Sequence, residues 1–203
     1  MWGGVILLDR TSIENIEKRP LEEVYRKWPE YFTDALKITC KLDHDTDFYK
    51  SVLLCGMGGS GTSCDILNDI MKHIGSIPST VVRGEKAPSF LDKHSLVIVH
   101  SASGNTEEAI SIMEQASHKK AEVVCISSGG RLMERSESHG NRNIVIPNLG
   151  IPRASLPYLI VPGLRLIEPF LTESLDEQLL SISKNLSKVR KTVGMEVPVE
   201  LNY

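Results

Sequence analysis

Two short segments rich in glycine and hydroxyl side chains are the places where this sequence could bind an anion. The first is "GMGGSG" at 56–61, and the second is "HSASGNTEE" at 100–108. In both cases a short apolar run comes before the segment and an amphipathic pattern follows it, as at a turn between a strand and a helix. Such a turn offers hydroxyl groups, a closely approachable glycine backbone and the unpaired N–H groups of a helix N-terminus. Together these groups can hold a small dianion without a lysine.

The first segment by itself matches other phosphate-binding motifs imperfectly. Gly56, Gly58 and Gly61 satisfy G-x-G-x-x-G, which is typical of dinucleotide-binding folds and requires an acidic side chain about twenty residues further on. Glu85 stands roughly at that position. A nucleoside triphosphate loop would need a lysine where Thr62 stands, so the sequence argues against that kind of site.

The second segment favours a phosphate site over a dinucleotide site, because dinucleotide folds do not need it. Its hydroxyl side chains, Ser101, Ser103 and Thr106, surround Gly104 at the predicted start of a helix. Ser60 adds a hydroxyl group from the first segment. In either segment alone, turn formation and helix capping would explain these side chains. The pair of segments favours ligand binding.

The predicted strands explain how the two segments could meet. Short apolar runs alternate with helical patterns, which is typical of βαβ units, and the predicted strands are 51–55, 79–83, 95–100, 121–126 and 143–146. Each is nearly all apolar, as expected for a parallel sheet covered on both faces. If the strand order is 2-1-3-4-5, the first and third strands are neighbours and both segments lie at the topological switch point. The sequence therefore predicts an α/β fold that binds one phosphate between two turns.

Helical patterns follow these strands. In the segment 63–75, the apolar face of a predicted helix consists of Ile66, Leu67, Ile70, Met71 and Ile74. After the third strand, the apolar face of the next helix consists of Ala109, Ile112, Met113 and Ala116. We predict Asn105 as the N-cap of that helix, because Glu108 three residues later would complete a capping box. The segment 153–167 predicts a proline-interrupted helix that packs on the sheet.

Three parts of the chain can be distinguished by their patterns. Residues 1–47 predict an N-terminal helical arm, residues 48–170 the α/β domain, and residues 171–203 a helix followed by a linker. The apolar stripe of the last helix consists of Leu175, Leu179, Ile182 and Leu186.

His100 ends the third strand, but strand alternation points it away from Ser101, which favours a structural role for the imidazole.

The composition excludes several classes of function. With 24% charged residues and a formal net charge of -3, the chain has no electrostatic reason to bind nucleic acid. The apolar run at the N-terminus is interrupted by Asp9 and Arg10 before it reaches the length of a signal peptide or a membrane span, so we expect a cytoplasmic protein without a membrane partner. The four cysteines form no C-x-x-C pair, which favours buried free thiols over a zinc site. We expect neither a metal nor an organic cofactor.

Four motifs in order and spacing carry a resemblance to a known family. They are "GMGGSG" at 56–61, "SASGNTEE" at 101–108, "ISSGG" at 126–130 and "PRASLPY" at 152–158. With these motifs the chain resembles the sugar isomerase (SIS) domain, a phosphosugar-binding α/β fold, and more closely the bifunctional phosphoglucose/phosphomannose isomerases of archaea and some bacteria. Any one motif is unspecific, whereas the four together are specific.

This resemblance implies a role for individual residues. The substrate phosphate would be bound by the hydroxyl groups of Ser60, Ser101, Ser103 and Thr106 and by the backbone N–H groups of Gly58 and Gly59. Isomerisation of an aldose 6-phosphate to a ketose moves a proton between C2 and C1 through a cis-enediol(ate). Arg153 would be catalytic, because its permanent charge would stabilise the negative charge of that intermediate.

The resemblance also implies what this chain lacks. Family members have two SIS domains, and the glutamate that acts as base and the histidine that helps to open the sugar ring lie in the second one. Glu200 stands where the next helix would begin, so we do not assign it as the base. We therefore expect the chain to bind a hexose 6-phosphate, to pair as a homodimer as family members do, and to be incomplete as a catalyst. Two alternatives are a non-catalytic sugar-phosphate sensor and a single-domain isomerase of the hexulose-phosphate type.

Overall fold

A wholly parallel five-stranded sheet lies at the centre of the molecule, of which the computed structural model describes residues 21–193 and Val197. The strands, in the spatial order β2-β1-β3-β4-β5, are β1 (Ser51–Gly56), β2 (Ser79–Val82), β3 (Ser95–Ser101), β4 (Glu122–Ser127) and β5 (Arg142–Val145). Each predicted strand is present and is displaced by no more than one residue at either end. The predicted strand order and α/β fold are confirmed.

Helices cover both faces of this sheet. In the described residues they are α1 (Leu21–Arg26), α2 (Trp28–Ala35), α3 (Gly58–Ile74), α4 (Glu107–His118), α5 (Gly130–Ser138), α6 (Leu156–Ile167) and α7 (Asp176–Val193). Short 3-10 helices occupy Thr46–Phe48, Pro152–Ser155 and Glu168–Phe170. No helix in the described ranges combines the length and the apolar character needed to cross a membrane. The predictions for residues 1–20, for 194–196 and for 198–203, which include Glu200, fall outside the described residues.

The strands are apolar because each of them contributes to two hydrophobic cores. In β3, Leu96 and Ile98 face the side covered by α3 and α6, whereas Val97 and Val99 face the side covered by α4 and α5. All four side chains are fully buried. Burying one such side chain stabilises the fold by about 1.5–3 kcal/mol, so the two cores together hold the ends of β1 and β3 in place.

The predicted apolar face of α3 is partly wrong. Leu67 and Met71 are buried, but Ile66 is 36% exposed. The helix begins at Gly58, before the predicted segment, and its buried side near the start is formed by small and polar residues such as Ser60 and Ser63. Apolar periodicity could not identify this side, because its first turn carries hydroxyl groups in place of hydrocarbon.

The predicted apolar face of α4 is confirmed, but the predicted cap is wrong. Ala109, Ile112, Met113 and Ala116 are all fully buried. The N-cap residue is Thr106. Asn105 lies one residue earlier and its side-chain oxygen instead accepts a hydrogen bond from the backbone N–H of Arg131, at 3.2 Å. The side-chain amide of Asn105 therefore joins the turn before α4 to the turn before α5.

The proline-interrupted helix α6 is confirmed as a core element, with Pro162 inside it. Residues from the two outer parts of the chain pack beside it. The hydroxyl of Ser183 in α7 donates to the carbonyl of Pro29 in α2 at 3.2 Å, and Arg190 forms an ion pair with Glu30. Leu179 is the buried member of the α7 stripe. The division of the chain at 47 and 170 stays a prediction, but the helices on either side of it share one core.

Three of the four cysteine thiols are predicted to be unreactive in the folded protein. Cys55, Cys64 and Cys125 are buried, and burial raises the pKa of Cys55 and of Cys125 to about 12. At pH 8 such a group is a thiolate in about one molecule in ten thousand. Burial also raises the pKa of Cys40, to about 11, but this thiol is only partly buried, so titration with a chromogenic disulfide should label Cys40 first and the other three only when urea unfolds the chain. Rapid labelling of Cys55 or Cys125 without urea would contradict this packing.

Candidate functional site

The two glycine-serine turns meet at the carboxyl end of β1 and β3. These strands are neighbours, with Gly56 opposite His100, so their following turns emerge side by side. The hydroxyl oxygen of Ser60 accepts a hydrogen bond from the backbone N–H of Ala102 at 3.2 Å, which joins the first turn to the second. This bond uses a lone pair of the Ser60 hydroxyl and leaves its proton available for a ligand.

The hydroxyl groups of the second turn also contact each other. The Ser101 hydroxyl accepts a hydrogen bond from the Gly104 N–H at 3.1 Å and lies 3.1 Å from the hydroxyl of Thr106. One contact between two hydroxyl groups uses one proton, so the other proton remains available. Ser101 is 1% exposed, whereas Thr106 is partly exposed. Thr106 is therefore the member of this pair that can donate to a ligand, and Ser101 orients it.

Two helix N-termini are left without a side-chain cap at this edge of the sheet. Met57 and Thr106 are the N-cap residues of α3 and α4, and neither side chain bonds to a first-turn N–H. The neighbouring helix α5 differs, because Asn105 accepts a hydrogen bond from the first-turn N–H of Arg131. The first-turn N–H groups of α3 and α4, together with the positive ends of their helix dipoles, therefore suit an anion.

The third motif holds the second turn in its conformation. The hydroxyl of Ser128 donates to the carbonyl of Ala102 at 2.7 Å. Gly104 has a φ of 68°, and a Cβ at this position would overlap the carbonyl oxygen of Gly129. Only glycine combines this left-handed backbone with such a close approach. The turn that carries Ser101, Ser103 and Thr106 is thus fixed by its neighbour.

Arg153 lies against the first turn. It belongs to the 3-10 helix Pro152–Ser155, and a Cβ added to Gly59 would sit 3.3 Å from the Arg153 Cα. Its side chain is exposed and makes no hydrogen bond or ion pair with any residue in the described part of the chain. Every other arginine in that part pairs with a carboxylate, and these are Arg26, Arg83, Arg131, Arg135, Arg142, Arg165 and Arg190. Arg153 therefore has a charge that is free to meet a ligand.

The N-terminal part of the chain supports the turn that carries this arginine. The indole N–H of Trp28 in α2 donates to the carbonyl of Ala154 at 3.1 Å. One helical turn further on, the rings of Tyr31 and Tyr158 lie with their centroids 5.5 Å apart. These contacts join α2 to the 3-10 helix and to the start of α6, next to Arg153.

A cavity of about 300 Å³ opens between the second turn and the segment that leads to this 3-10 helix. This volume is at the lower end of the range for small-molecule pockets. The lining residues are Ala102, Ser103, Asn105, Asn148, Gly150, Ile151, Pro152 and Ser155. Sequence reasoning did not identify Asn105, Asn148 or Ser155 as lining residues. The sequence pattern that could have indicated the cavity is the turn formed by Asn148 and Gly150, which lies directly before the "PRASLPY" motif.

Three acidic residues lie near the turns, and they differ in their contacts. Glu107, at the start of α4, forms an ion pair with Arg131. Glu85 is exposed, and its backbone carbonyl accepts hydrogen bonds from Ser111 and Gln115 of α4, at 2.9 and 2.6 Å. Within residues 21–193 and Val197, no cluster of three or more histidine, cysteine or acidic side chains could hold a metal ion. Glu108, also in the first turn of α4, is half-buried and has no ion pair with a described residue, so it places a negative charge near the second turn, while Arg153 places a positive charge against the first.

His100 lies beneath the turns and is fully buried. Its Nδ1 atom is 2.6 Å from the hydroxyl of Ser63, while its Nε2 atom has no hydrogen-bond partner. Burial lowers the pKa of His100 to about 3, so the imidazole is neutral at physiological pH. The predicted structural role fits this environment.

A known protein family matches the part of the chain that contains the two glycine-serine turns. Residues 49–141, from the start of β1 to the turn before β5, match the model of the SIS domain. Residues 49–141 form a SIS domain. The matched residues contain both glycine-serine turns and the third motif that supports them, whereas Arg153 of the SIS chain lies beyond the matched range.

Curated relatives of this SIS protein confirm the narrower resemblance. The bifunctional phosphoglucose/phosphomannose isomerase of Caldicellulosiruptor bescii is 38% identical over 152 residues, which cover 74% of this chain and 45% of that protein. The protein of the same name from Aquifex aeolicus is 32% identical over 158 residues, covering 74% of this chain and 49% of that one. The SIS chain spans about half the length of these curated relatives.

Solved structures confirm the fold of the SIS chain. The C-terminal domain of glucosamine-fructose-6-phosphate aminotransferase from Francisella tularensis superposes with a TM-score of 0.62 at 15% identity, covering 89% of this chain and 56% of that one. Tagatose-6-phosphate ketose/aldose isomerase from Escherichia coli gives a TM-score of 0.57 at 16% identity, covering 82% and 52%. At these identities the likeness establishes the architecture, and the chemistry must be argued from the site.

Replacement of Gly104 by alanine should destabilise the SIS domain strongly. The left-handed backbone alone costs a non-glycine residue about 1–2 kcal/mol, and the overlap with the Gly129 carbonyl adds to it. We expect Gly104→Ala to lower the free energy of unfolding by about 3 kcal/mol or more. Urea denaturation followed by circular dichroism measures this.

Gly140→Ala is the matched control for this experiment. Gly140 has a φ of 72°, nearly that of Gly104, but a Cβ added there would meet no atom within 4 Å. This variant should therefore lose only the backbone contribution, about 1–2 kcal/mol. Equal losses in the two variants would show that the contact between the second and third turns does not stabilise the fold.

Proposed function

We propose that this chain is the phosphosugar-binding domain of an aldose–ketose isomerase that interconverts glucose 6-phosphate or mannose 6-phosphate with fructose 6-phosphate. The observation that carries the proposal is the hydrogen bond between Ser60 and Ala102. It brings two hydroxyl-bearing turns together at two helix N-termini that lack side-chain caps, and Ser103 of the second turn lines a cavity of about 300 Å³. The names of the curated relatives support the same reaction.

The phosphate is bound by neutral donors in this proposal. Ser60, Ser103 and Thr106 donate from their hydroxyl groups, and the first-turn N–H groups of Gly58 and Gly59 donate from the backbone. Ser101 orients Thr106 through the contact between their hydroxyl groups. A dianion held by several hydrogen bonds and two helix dipoles needs no lysine, because each charge-assisted bond contributes about 1.5–3 kcal/mol.

Arg153 acts at the other end of the sugar. In the isomerisation a base removes the proton from C2 of the aldose and returns it to C1, and a cis-enediol(ate) forms between the two steps. The guanidinium stabilises the oxygen on which negative charge develops, and its charge does not depend on pH. The absence of a carboxylate partner among the described residues supports this role, since a paired arginine would offer less to the intermediate.

The base and the ring-opening histidine are not assigned to residues of this chain. The family resemblance implies that both belong to a second SIS domain, and in this proposal the present chain provides phosphate binding and electrostatic stabilisation. Glucose and mannose 6-phosphate differ only at C2, which becomes planar in the enediol(ate), so one site can serve both epimers. The homodimer and the cytoplasmic location remain predictions from the sequence.

Two other functions would use the same phosphate site. A non-catalytic sugar-phosphate sensor needs the turns but has no need of an unpaired arginine beside them, so the environment of Arg153 favours catalysis. A single-domain isomerase of the hexulose-phosphate type would isomerise its substrate without further chain. A coupled assay of fructose 6-phosphate turnover by the 203-residue chain distinguishes the two cases. Strong turnover would indicate a single-domain isomerase, whereas our proposal predicts binding without strong turnover.

Replacement of Thr106 by valine should weaken the binding of glucose 6-phosphate. Valine keeps the shape of threonine and removes the hydroxyl, so the loss should be about 1–3 kcal/mol, or about 5- to 150-fold in affinity. Calorimetric titration measures this, with Ser136→Ala as the control. Ser136 is a buried serine in the last turn of α5, and its hydroxyl donates a hydrogen bond to Asn143 of β5. Loss of this hydroxyl should leave the affinity for glucose 6-phosphate unchanged.

The same titrations separate a phosphosugar site from a dinucleotide site. Inorganic phosphate should compete with glucose 6-phosphate for the wild-type chain, and NAD should not bind tightly. Tight binding of NAD that is lost in Glu85→Ala would overturn the proposal, because a dinucleotide site uses such a carboxylate for the ribose.

Replacement of Arg153 by alanine should weaken the binding of a charged analogue of the intermediate and leave the binding of the phosphate group unchanged. A five-carbon aldonate 5-phosphate carries a carboxylate where the enediolate carries charge, whereas the matching alditol 5-phosphate is neutral there. We expect Arg153→Ala to weaken the aldonate by about 10- to 100-fold and the alditol by less than about threefold. Equal losses of affinity for both analogues would show that Arg153 does not contact the reacting end of the sugar.

A further inference from the structure

Ser60 is held by a second set of contacts, which lies below the phosphate site. The hydroxyl oxygen of Ser63, one turn further along α3, is 2.6 Å from the backbone carbonyl oxygen of Ser60 and 2.6 Å from Nδ1 of His100. Ser63 and His100 are both fully buried. The end of β3 thus contacts Ser60 twice, through the Ala102 N–H at the side chain and through His100 and Ser63 at the carbonyl.

The protons in this group have one arrangement that satisfies every short contact. A carbonyl oxygen only accepts, so the Ser63 hydroxyl must donate its single proton to Ser60. The contact between Ser63 and His100 then needs a proton on Nδ1 of the imidazole. The Nε2 atom consequently carries a lone pair, and this lone pair has no partner among the described residues.

Helix α6 keeps the imidazole in this neutral form. A Cβ added to Gly163 would lie 3.3 Å from His100 Nε2, so the helix backbone passes directly over the ring. Leu67 of α3 contacts the same glycine, and no polar group of the described residues bonds to Nε2. An acceptor buried without a partner destabilises the fold. The arrangement is therefore better explained by what Nδ1 does for Ser63 than by a contribution of the imidazole to stability.

We propose that His100 and Ser63 are positioning residues that set the location of the Ser60 hydroxyl for phosphate binding. The chain of contacts runs from Nδ1–H of His100 to the Ser63 hydroxyl and from there to the Ser60 carbonyl, while Ala102 directs the Ser60 hydroxyl itself. The proposal rests on the proposed function, because it assigns these residues an effect on a phosphate site.

A double-mutant cycle tests whether Ser63 acts through Ser60. Calorimetric titration with glucose 6-phosphate should give about a fivefold or greater loss of affinity for Ser63→Ala in the wild-type chain. In the Ser60→Ala chain the same replacement should change the affinity by less than about twofold, because the hydroxyl that it positions is gone. An equal loss in both backgrounds, or no loss in either, would overturn the proposal. Ser136→Ala controls for the removal of a buried serine hydroxyl.

Two replacements of His100 distinguish positioning from packing. Asparagine can present an amide N–H close to the Nδ1 position and has no atom at Nε2, whereas glutamine presents its amide close to the Nε2 position. We expect His100→Asn to bind glucose 6-phosphate within about threefold of the wild type and His100→Gln to lose about fivefold or more. Equal losses in both variants would assign the imidazole to packing and contradict the proposal.

A measurement without ligand separates this proposal from the proposed function. The Ala102 amide donates to the Ser60 hydroxyl, so its hydrogen exchange, followed by NMR, reports where that hydroxyl lies. Exchange should be about tenfold or more faster in Ser63→Ala than in the wild type and unchanged in Ser136→Ala. If the wild type binds no sugar phosphate, the proposed function fails. The exchange rate then still decides the positioning role, since an unchanged rate in Ser63→Ala overturns it.

Discussion

The hydrogen bond between the Ser60 hydroxyl and the Ala102 N–H requires that two turns from distant parts of the sequence lie side by side. The parallel pairing of β1 with β3 satisfies this requirement, because it places Gly56 opposite His100 and lets both chains leave the sheet at the same edge. β2 lies on the other side of β1, so the crossovers through α3 and α4 cover opposite faces. A gap then remains between the two helix N-termini, which is where sheets of this type bind ligands.

Rigidity at this edge comes from elements that carry no proposed chemistry. The third turn fills the space beneath Gly104, and Ser128 bonds to the Ala102 carbonyl. Below the first turn, Ser63 bonds to the Ser60 carbonyl. Ala102 and Ser60 are thus held at their carbonyls while their N–H and hydroxyl groups face each other. A binding site that is organised before its ligand arrives loses less conformational entropy when the ligand binds.

The region around Arg153 shows how the outer parts of the chain contribute to the site. Trp28 of α2 bonds to the 3-10 helix beside the arginine, and α7 in turn contacts α2 through Ser183 and through the ion pair of Arg190 with Glu30. The sheet edge would present the two turns without these helices. The 3-10 helix that carries Arg153 runs directly into the buried helix α6, and the bond from Trp28 adds a contact from the N-terminal part of the chain.

The sequence by itself determined the strands, the two turns and the family motifs, since each of these follows from apolar periodicity or from residues that are close along the chain. It did not determine which side of α3 is buried, because Ile66 is apolar but points outward while Ser60 and Ser63 point inward. The cap at Thr106 was also missed, since the third turn draws Asn105 away. The unpaired state of Arg153 among the described residues and the contact of His100 with Ser63 were decided only by tertiary structure. Such features depend on which groups from other elements come within hydrogen-bonding distance, and no local pattern encodes that.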